Sequence, residues 1–237
     1  MSHEALNLKQ AAEHVHMDPN ELKHIAQRGE VEAVERGGDW YFDHESLDEW
    51  AQRNLLAAGA RELAERHRSM ADERRRLDKA GWGVADLFSA TTVDLSVRAK
   101  AKAGILRDMT DLAERGGKVY DVDGLFKELV AREEAASTAI GEGVALLHPR
   151  FHDPYMFEES FVAYGRSDRP VFFGAPDGEG TRHFFLICST DHRAHLHILA
   201  RLAVLAHGTN LVERLDAAED VEGAIAAIRE CEAEFKG

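Results

Sequence analysis

The sequence predicts an α/β protein. A mixed sheet flanked by helices fills the long C-terminal part, after a small N-terminal module and a helical linker. Three observations carry this expectation. From Val84 onward, helix-forming segments alternate with short apolar β-type runs, the order expected of a sheet covered by helices. Residues 54 to about 80 hold no strand signal and many helix formers. Residues 1–53 are polar and contain a short helical pattern followed by a Gly-Gly hairpin signal. The expected boundaries are therefore 1–53, 54–83 and 84–237.

In chain order, Leu55, Leu56, Leu63 and Leu77 are too sparse for a sustained heptad, so the linker reads as a solvated helix or a short coiled coil with a second copy. Gly81 and Gly83 break it. "VRAKAKAGILRDMTDLAERG" reads as a helix stopped by Gly116 and Gly117. "DVDGLFKELVAREEAA" is a second helix with Asp121 as its N-cap. "GVALLH", "ESFVAYGR" and "RHFFLICS" are strands, the last apolar enough to be buried on both faces. "RAHLHILARLAVLAHG" is a helix capped by Thr190 or Asp191 and ended by Gly208. "LVERLDAAEDVEGAIAAIRECEAEF" supplies two more helical pieces.

The composition, 44% apolar and 30% charged over 237 residues, is that of a globular chain able to bury a sizeable core. No apolar run approaches the roughly 20 residues that cross a bilayer, and "MSHEALNLKQ" lacks a secretory pattern. Cys188 and Cys231 make no disulfide framework, and Cys188 inside "FFLIC" reads as a buried thiol. A cytoplasmic protein without membrane insertion is expected. A net charge of −14 disfavours a generic nucleic-acid coat.

Two histidine groups carry the chemistry. His148 leaves a strand end beside a glycine-bearing turn, where a reactive group can reach a ligand. Neutral imidazole is a nucleophile that titrates near physiological pH. Arg132, sixteen residues upstream, offers a permanent, fork-shaped charge for an oxyanion, and Ser137 and Thr138 add hydroxyl donors. Farther on, "DHRAHLHIL" holds His192, His195 and His197. At 100° per residue, His195 falls on the arc of Leu199, Leu202 and Ala206, pointing inward, whereas His197 falls with Arg201. A helix sends these three rings in different directions, so no metal site is expected there. On spacing alone, a surface His148 and a hydrogen-bonded core His195 remain the competing account.

The order Arg132-Glu133, Ser137-Thr138, Ile140-Gly141, Gly143, Ala145, His148 resembles the active-site motif of enzyme IIA domains of the mannitol/fructose type of the sugar phosphotransferase system, including its nitrogen-regulatory branch. The helix opening His195-Leu196-His197-Ile198-Leu199 resembles the family's later helix. The resemblance covers about residues 84–237. It implies that His148 is the phosphorylated histidine, Arg132 the family arginine, and His195 the second active-site histidine, with His197 the alternative. It implies an HPr-like phosphocarrier as phosphodonor and no cofactor. The family places proline before the reactive histidine; this chain has Leu147 there and Pro149 after it. Either His148 accepts a phosphoryl group, or the domain serves a regulator or scaffold without being phosphorylated.

The N-terminal stretch resembles the excisionase/MerR-like helix-turn-helix module. The resemblance rests on Leu8, Ala11, Ala12, Leu22, Ile25, Arg28, Gly29, Val31, Ala33, Gly37, Gly38, Trp40, Phe42, Leu47 and Trp50. It implies a small winged helix-turn-helix domain with a recognition helix near 20–28 that exposes Asn20, Lys23, His24, Gln27 and Arg28, a usable major-groove set. Against DNA binding stands the charge of residues 1–53: five basic residues against twelve acidic, with Asp39 and Asp43 in the hairpin. DNA, a protein contact, or a homodimer remain the alternatives for this module.

Overall fold

The computed structural model describes residues 5–15, 17–57, 83–150 and 155–236. The N-terminal part runs β1 (Leu6–Asn7), α1 (Leu8–His14), α2 (Pro19–Gln27), β2 (Ala33–Arg36), β3 (Asp39–Phe42) and α3 (His44–Ala57). Its antiparallel sheet has the order β1-β3-β2. Asn7 and Gln10 form a capping box on α1, and Asp18 caps α2, where Pro19 supplies a preset φ at the first turn. Gly37 and Gly38 both take positive φ, 64° and 91°, the backbone a two-residue hairpin turn requires. Phe42, Leu47, Trp50 and Ile25 are buried, with Leu8 and Trp40 packed partly against them.

The C-terminal part holds β4 (Val93–Val97), α4 (Lys102–Arg115), α5 (Val122–Ala135), β5 (Ala139–Gly141), β6 (Val144–Leu147), β7 (Phe161–Val171), β8 (Thr181–Cys188), α6 (His192–Gly208), α7 (Leu211–Ala217) and α8 (Val221–Lys236). The five-stranded sheet has the order β4-β7-β8-β6-β5. It is mixed: β4 runs parallel to β7 and β6 to β8, while β7–β8 and β5–β6 are antiparallel. Asp121 accepts the Gly124 amide at α5, and Asp191, rather than Thr190, accepts the Ala194 amide at α6.

Period-two alternation sorts the strands between two layers. Ala145, Leu147, Phe184, Leu186 and Cys188 pack with α4 and α5. Val144, Leu146, Phe185 and Ile187 pack with α6, α7 and α8. The apolar core of the N-terminal part joins this second layer. Helix α6 is buried on nearly every face along 198–206, an apolar stretch interrupted by Arg201, whose buried guanidinium meets Glu232 at 3.2 Å.

Three elements differ from expectation, one of them β5, whose three residues make no period. Val93–Val97 is a strand, although its V-x-L-x-V alternation precedes a strong helical signal that masks it. β7 runs past Arg166 to Val171 through an irregular register. α2 starts at Pro19 and ends at Gln27, with Arg28 as its C-cap, close to the expected 20–28. α3 extends to Ala57; the rest of the expected linker, with Gly81, lies outside the described residues.

Candidate functional site

Alternation positions the central histidine. Val144 and Leu146 face α6, so His148, the next residue in that phase, faces α6 as well. The turn feeding β6 needs three successive left-handed residues, Gly141, Glu142 and Gly143, at φ 94°, 53° and 75°; glycine meets this requirement at two of them. Asp177 accepts the Glu142 amide at 2.8 Å and pins the turn.

His148 is fully buried. Its Nδ1 lies 2.8 Å from the Leu146 carbonyl oxygen, which fixes Nδ1 as the protonated nitrogen. The other nitrogen, Nε2, then carries a lone pair. Arg132 Nε donates to it at 3.0 Å, while Arg132 Nη1 donates to the Ala136 carbonyl at the end of α5. Burial pulls the Arg132 guanidinium below its ordinary value, and the carboxylates of Glu133 and Glu49 oppose that shift; it stays a cation. The buried ring of His195, in the first turn of α6, lies 5.1 Å from that of His148, centroid to centroid. Three elements thus meet at one point: the end of β6, the last turn of α5 and the first turn of α6. A guanidinium and a second imidazole beside this lone pair can hold an oxyanion as charge spreads over it, while the lone pair serves as the nucleophile.

His197 is half-buried and lies two residues on, about 200° round the helix from the ring that meets His148. Ser137 and Thr138 are not directed at the imidazole. Ser137 donates to the Phe173 carbonyl, and Thr138 gives both its amide and its hydroxyl to Glu133. The Ser-Thr pair therefore shapes the loop between α5 and β5, because Glu133 also takes Lys102 at 2.7 Å. Leu147 is buried opposite Leu186 and packs into the α4/α5 layer.

Gln52, which no motif marks, reaches the site from α3. Its Oε1 lies 3.1 Å from His148 Nε2, and Gln52 is buried. A cleft of about 100 Å³ opens beside it, lined on one side by Asp43, Ser46 and Glu49 and on the other by Arg132 and Arg150. Glu49 lies 3.8 Å from Arg150. The Gln52–His148 contact joins positions 96 residues apart, so no local pattern could reveal it.

On α2, Asn20, His24, Gln27 and Arg28 are exposed and Lys23 is half-buried. Arg28 is engaged by Glu30, and Asp18 and Glu21 stand on the same exposed helix start. Elsewhere, Asp48 takes His14 Nε2 at 2.5 Å on one oxygen and faces His44 Nδ1 at 3.5 Å with the other. These ligand-type atoms lie within 4.8 Å of one another. Two ligands of one zinc ion at about 2.0–2.2 Å would sit roughly 3.3 Å apart. The His14–Asp48 separation is therefore that of a hydrogen bond fastening α1 to α3. No helix among the described residues is long and apolar enough to cross a membrane.

Residues 86–231 match the family model described as phosphoenolpyruvate-dependent sugar phosphotransferase system, EIIA 2. The fructose-specific EIIABC component of the phosphotransferase system from Bacillus subtilis is 27% identical over 149 residues, 62% of this chain but 23% of that protein. This chain thus spans under a quarter of that relative's length. A nitrogen regulatory protein of Bradyrhizobium diazoefficiens is 28% identical over 142 residues, covering 59% of this chain and 90% of that one. Among solved structures, nitrogen regulatory protein IIA-Ntr from Neisseria meningitidis is 25% identical with a TM-score of 0.55, covering 61% of this chain and 98% of that one. IIA mannitol from Escherichia coli shares the fold at 19% identity and a TM-score of 0.53, covering 60% and 98%.

Proposed function

The chain belongs to the EIIA type 2 family of the phosphoenolpyruvate-dependent sugar phosphotransferase system, and from that premise we propose that it is a regulatory phosphocarrier that accepts a phosphoryl group on Nε2 of His148. One observation carries this reading: the His148 lone pair meets the Arg132 N–H at 3.0 Å, with the His195 ring 5.1 Å away. The donor is a phosphohistidine on a small HPr-like carrier. The donor's N–P bond breaks, the His148 Nε2–P bond forms, and the electron pair returns to the donor imidazole. Arg132 and His195 stabilise the charge on the transferring oxygens by position and electrostatics. The Nδ1–H···O=C bond to Leu146 keeps the nucleophilic tautomer. No cofactor takes part. The names of the nitrogen regulatory relatives favour a regulatory over a transport role.

The N-terminal part is, in this proposal, a winged helix-turn-helix module serving as the output element. Its α2 face of Asn20, Lys23, His24, Gln27 and Arg28 suits a duplex groove. Its seven net negative charges favour a protein contact. The test for His148 is direct. Incubation with phosphoenolpyruvate, enzyme I and a phosphocarrier should label the chain with acid-labile phosphate, and His148→Ala should abolish the label. A label that survives in His148→Ala overturns the assignment. A chain that stays unlabelled even when the Gln52 contact with His148 is removed favours a scaffold, a reading motivated by Leu147 standing where the family has proline.

A further inference from the structure

We infer that α3 of the N-terminal module is a built-in lid over His148, with Gln52 seated on the nitrogen that would take the phosphoryl group. Module docking and His148 phosphorylation then exclude one another. The inference rests on His148 being the acceptor.

Transfer requires phosphorus to approach Nε2 to about 3–3.5 Å along the lone pair. That approach is occupied. The Gln52 side-chain amide lies 3.1 Å from Nε2, and His148 is fully buried. Because Nδ1 faces the Leu146 carbonyl, Nε2 is an acceptor. As placed, Gln52 turns its carbonyl oxygen to that acceptor, and its buried Nε2 has no hydrogen-bond partner among the described residues. Rotating the amide by half a turn removes the acceptor–acceptor clash: the Gln52 N–H then shares the His148 Nε2 lone pair with the Arg132 Nε–H. The lid therefore uses the same lone pair that would attack phosphorus.

The charges around Gln52 point the same way. One turn earlier on α3, Glu49 faces Arg150 at 3.8 Å and lies in the field of Arg132. Together with Asp43, it presents carboxylate to the arginine side of the cleft. In the docked chain, carboxylates thus meet the cations that a phosphoryl group would otherwise meet. A phosphohistidine adds about two negative charges at this point and cannot share the space with Gln52. Repulsion of Glu49 and steric exclusion of Gln52 both drive α3 away. By linkage, a partner that captures the undocked module raises the phosphorylation of His148 by the same factor. The module's acidity, awkward for DNA, suits this docking.

The test uses the full-length chain and two independent readouts. The first is modification of His148 by diethyl pyrocarbonate, a small electrophile, followed site by site by mass spectrometry. Gln52→Ala removes the amide, and Glu49→Arg places a cation against Arg132 and Arg150. Each should speed His148 modification about tenfold over wild type, as expected when the accessible fraction limits the rate. Equal rates in all three proteins overturn the lid. The second readout is labelling by phosphoramidate, whose P–N bond breaks with loss of ammonia as the His148 N–P bond forms. The label should appear faster in both variants, and labelled wild type should exchange the amide hydrogens of residues 44–53 at least severalfold faster. Labelling that is fast in wild type and leaves those amides protected also overturns the lid, while keeping His148 as acceptor. Diethyl pyrocarbonate reactivity that rises in the variants without any phosphoramidate label upholds the lid and sinks the acceptor reading.

Discussion

The two halves of the molecule solve the problem of holding a side chain in place differently. The C-terminal half fixes Arg132, His148 and His195 on the ends of a strand and two helices, each anchored in a five-stranded sheet with an apolar layer on both faces. The N-terminal half has strands of two to four residues and helices α1 and α2 of seven and nine, and its core is continued by the layer it docks on. Elements this short are marginal alone. The sheet-borne residues form the fixed part of the site, and in the proposed lid Gln52, on the 14-residue α3, is the part that leaves. A short module that leans on its host is suited to leaving it, because little internal structure opposes undocking.

That contrast breaks most readily at Glu133. Its carboxylate is buried and holds the Thr138 amide, the Thr138 hydroxyl and Lys102 together. Removing one partner from such a network leaves buried donors unpaired, so Glu133→Ala should lower the unfolding free energy by about 3 kcal/mol in a denaturant titration. It should also loosen the loop that sets Arg132 against His148. A loss below about 1 kcal/mol would show that this part of the frame is less fixed than the comparison requires.

Next in size is a pH dependence confined to the rigid half. His183 is buried on the α6 face, within 2.9 Å of the Tyr164 hydroxyl, and 3.4 Å from Asp216. Burial lowers its pKa to about 4; Asp216 opposes the shift, while Arg182 and Arg166 add to it. The folded chain thus keeps this ring neutral where the unfolded chain protonates it near 6.5. The unfolded state binds the extra proton between those values, so stability falls as pH drops from about 6.5 to about 4 and changes no further below. The loss from this group is at most about 3 kcal/mol. His183→Phe should flatten that slope in urea titrations, and an unchanged slope would remove His183 as its source. Burial also holds the Tyr164 hydroxyl and the Cys188 thiol well above their ordinary values, so neither titrates in this window.

How much of this was readable beforehand follows the same divide. Local chemistry was legible. The caps Asp121 and Asp191, the Gly37-Gly38 turn, the run of β8 and the inward direction of His195 are each set by neighbours within a few residues. β4 was lost because Val93, Leu95 and Val97 alternate only briefly before a long helical segment, and β5 because three residues make no period. Ser137 and Thr138 have the right chemistry for an anion, but their hydroxyls are taken by Phe173 and Glu133, a fact of the folded loop alone. Gln52 could not be found at all: an exposed-looking glutamine on a polar helix acquires meaning only once α3 packs across a chain separation of 96 residues.

A smaller effect sharpens the comparison from the module's side. Asp48 fastens α3 to α1 through His14 and also faces His44 of its own helix. Asp48→Ala should cost about 1 kcal/mol, seen as faster amide exchange in α1 and α3 with α4 and α5 unchanged. Equal acceleration in both halves would mean that they unfold as one body.

The smallest effect tests whether position can be altered without stability. Asp191 caps α6, its carboxylate accepting the Ala194 amide at 2.8 Å and its carbonyl the His195 amide at 2.9 Å. Asp191→Ala removes the first bond and keeps the second, at a cost of about 1 kcal/mol. Because α6 is buried along most of its length, the fold should absorb that cost and the melting midpoint should move by only a few degrees. The first turn carries His195, however, and fraying there shifts the ring relative to His148. Phosphoramidate labelling should therefore slow severalfold in Asp191→Ala, and Asp191→Ser, which restores a cap, should recover it. Melting that shifts while labelling stays constant would mean that His195 is held by the core around Leu196 and Leu199 rather than by its cap, and that the fixed half of the site reaches farther down α6 than the first turn.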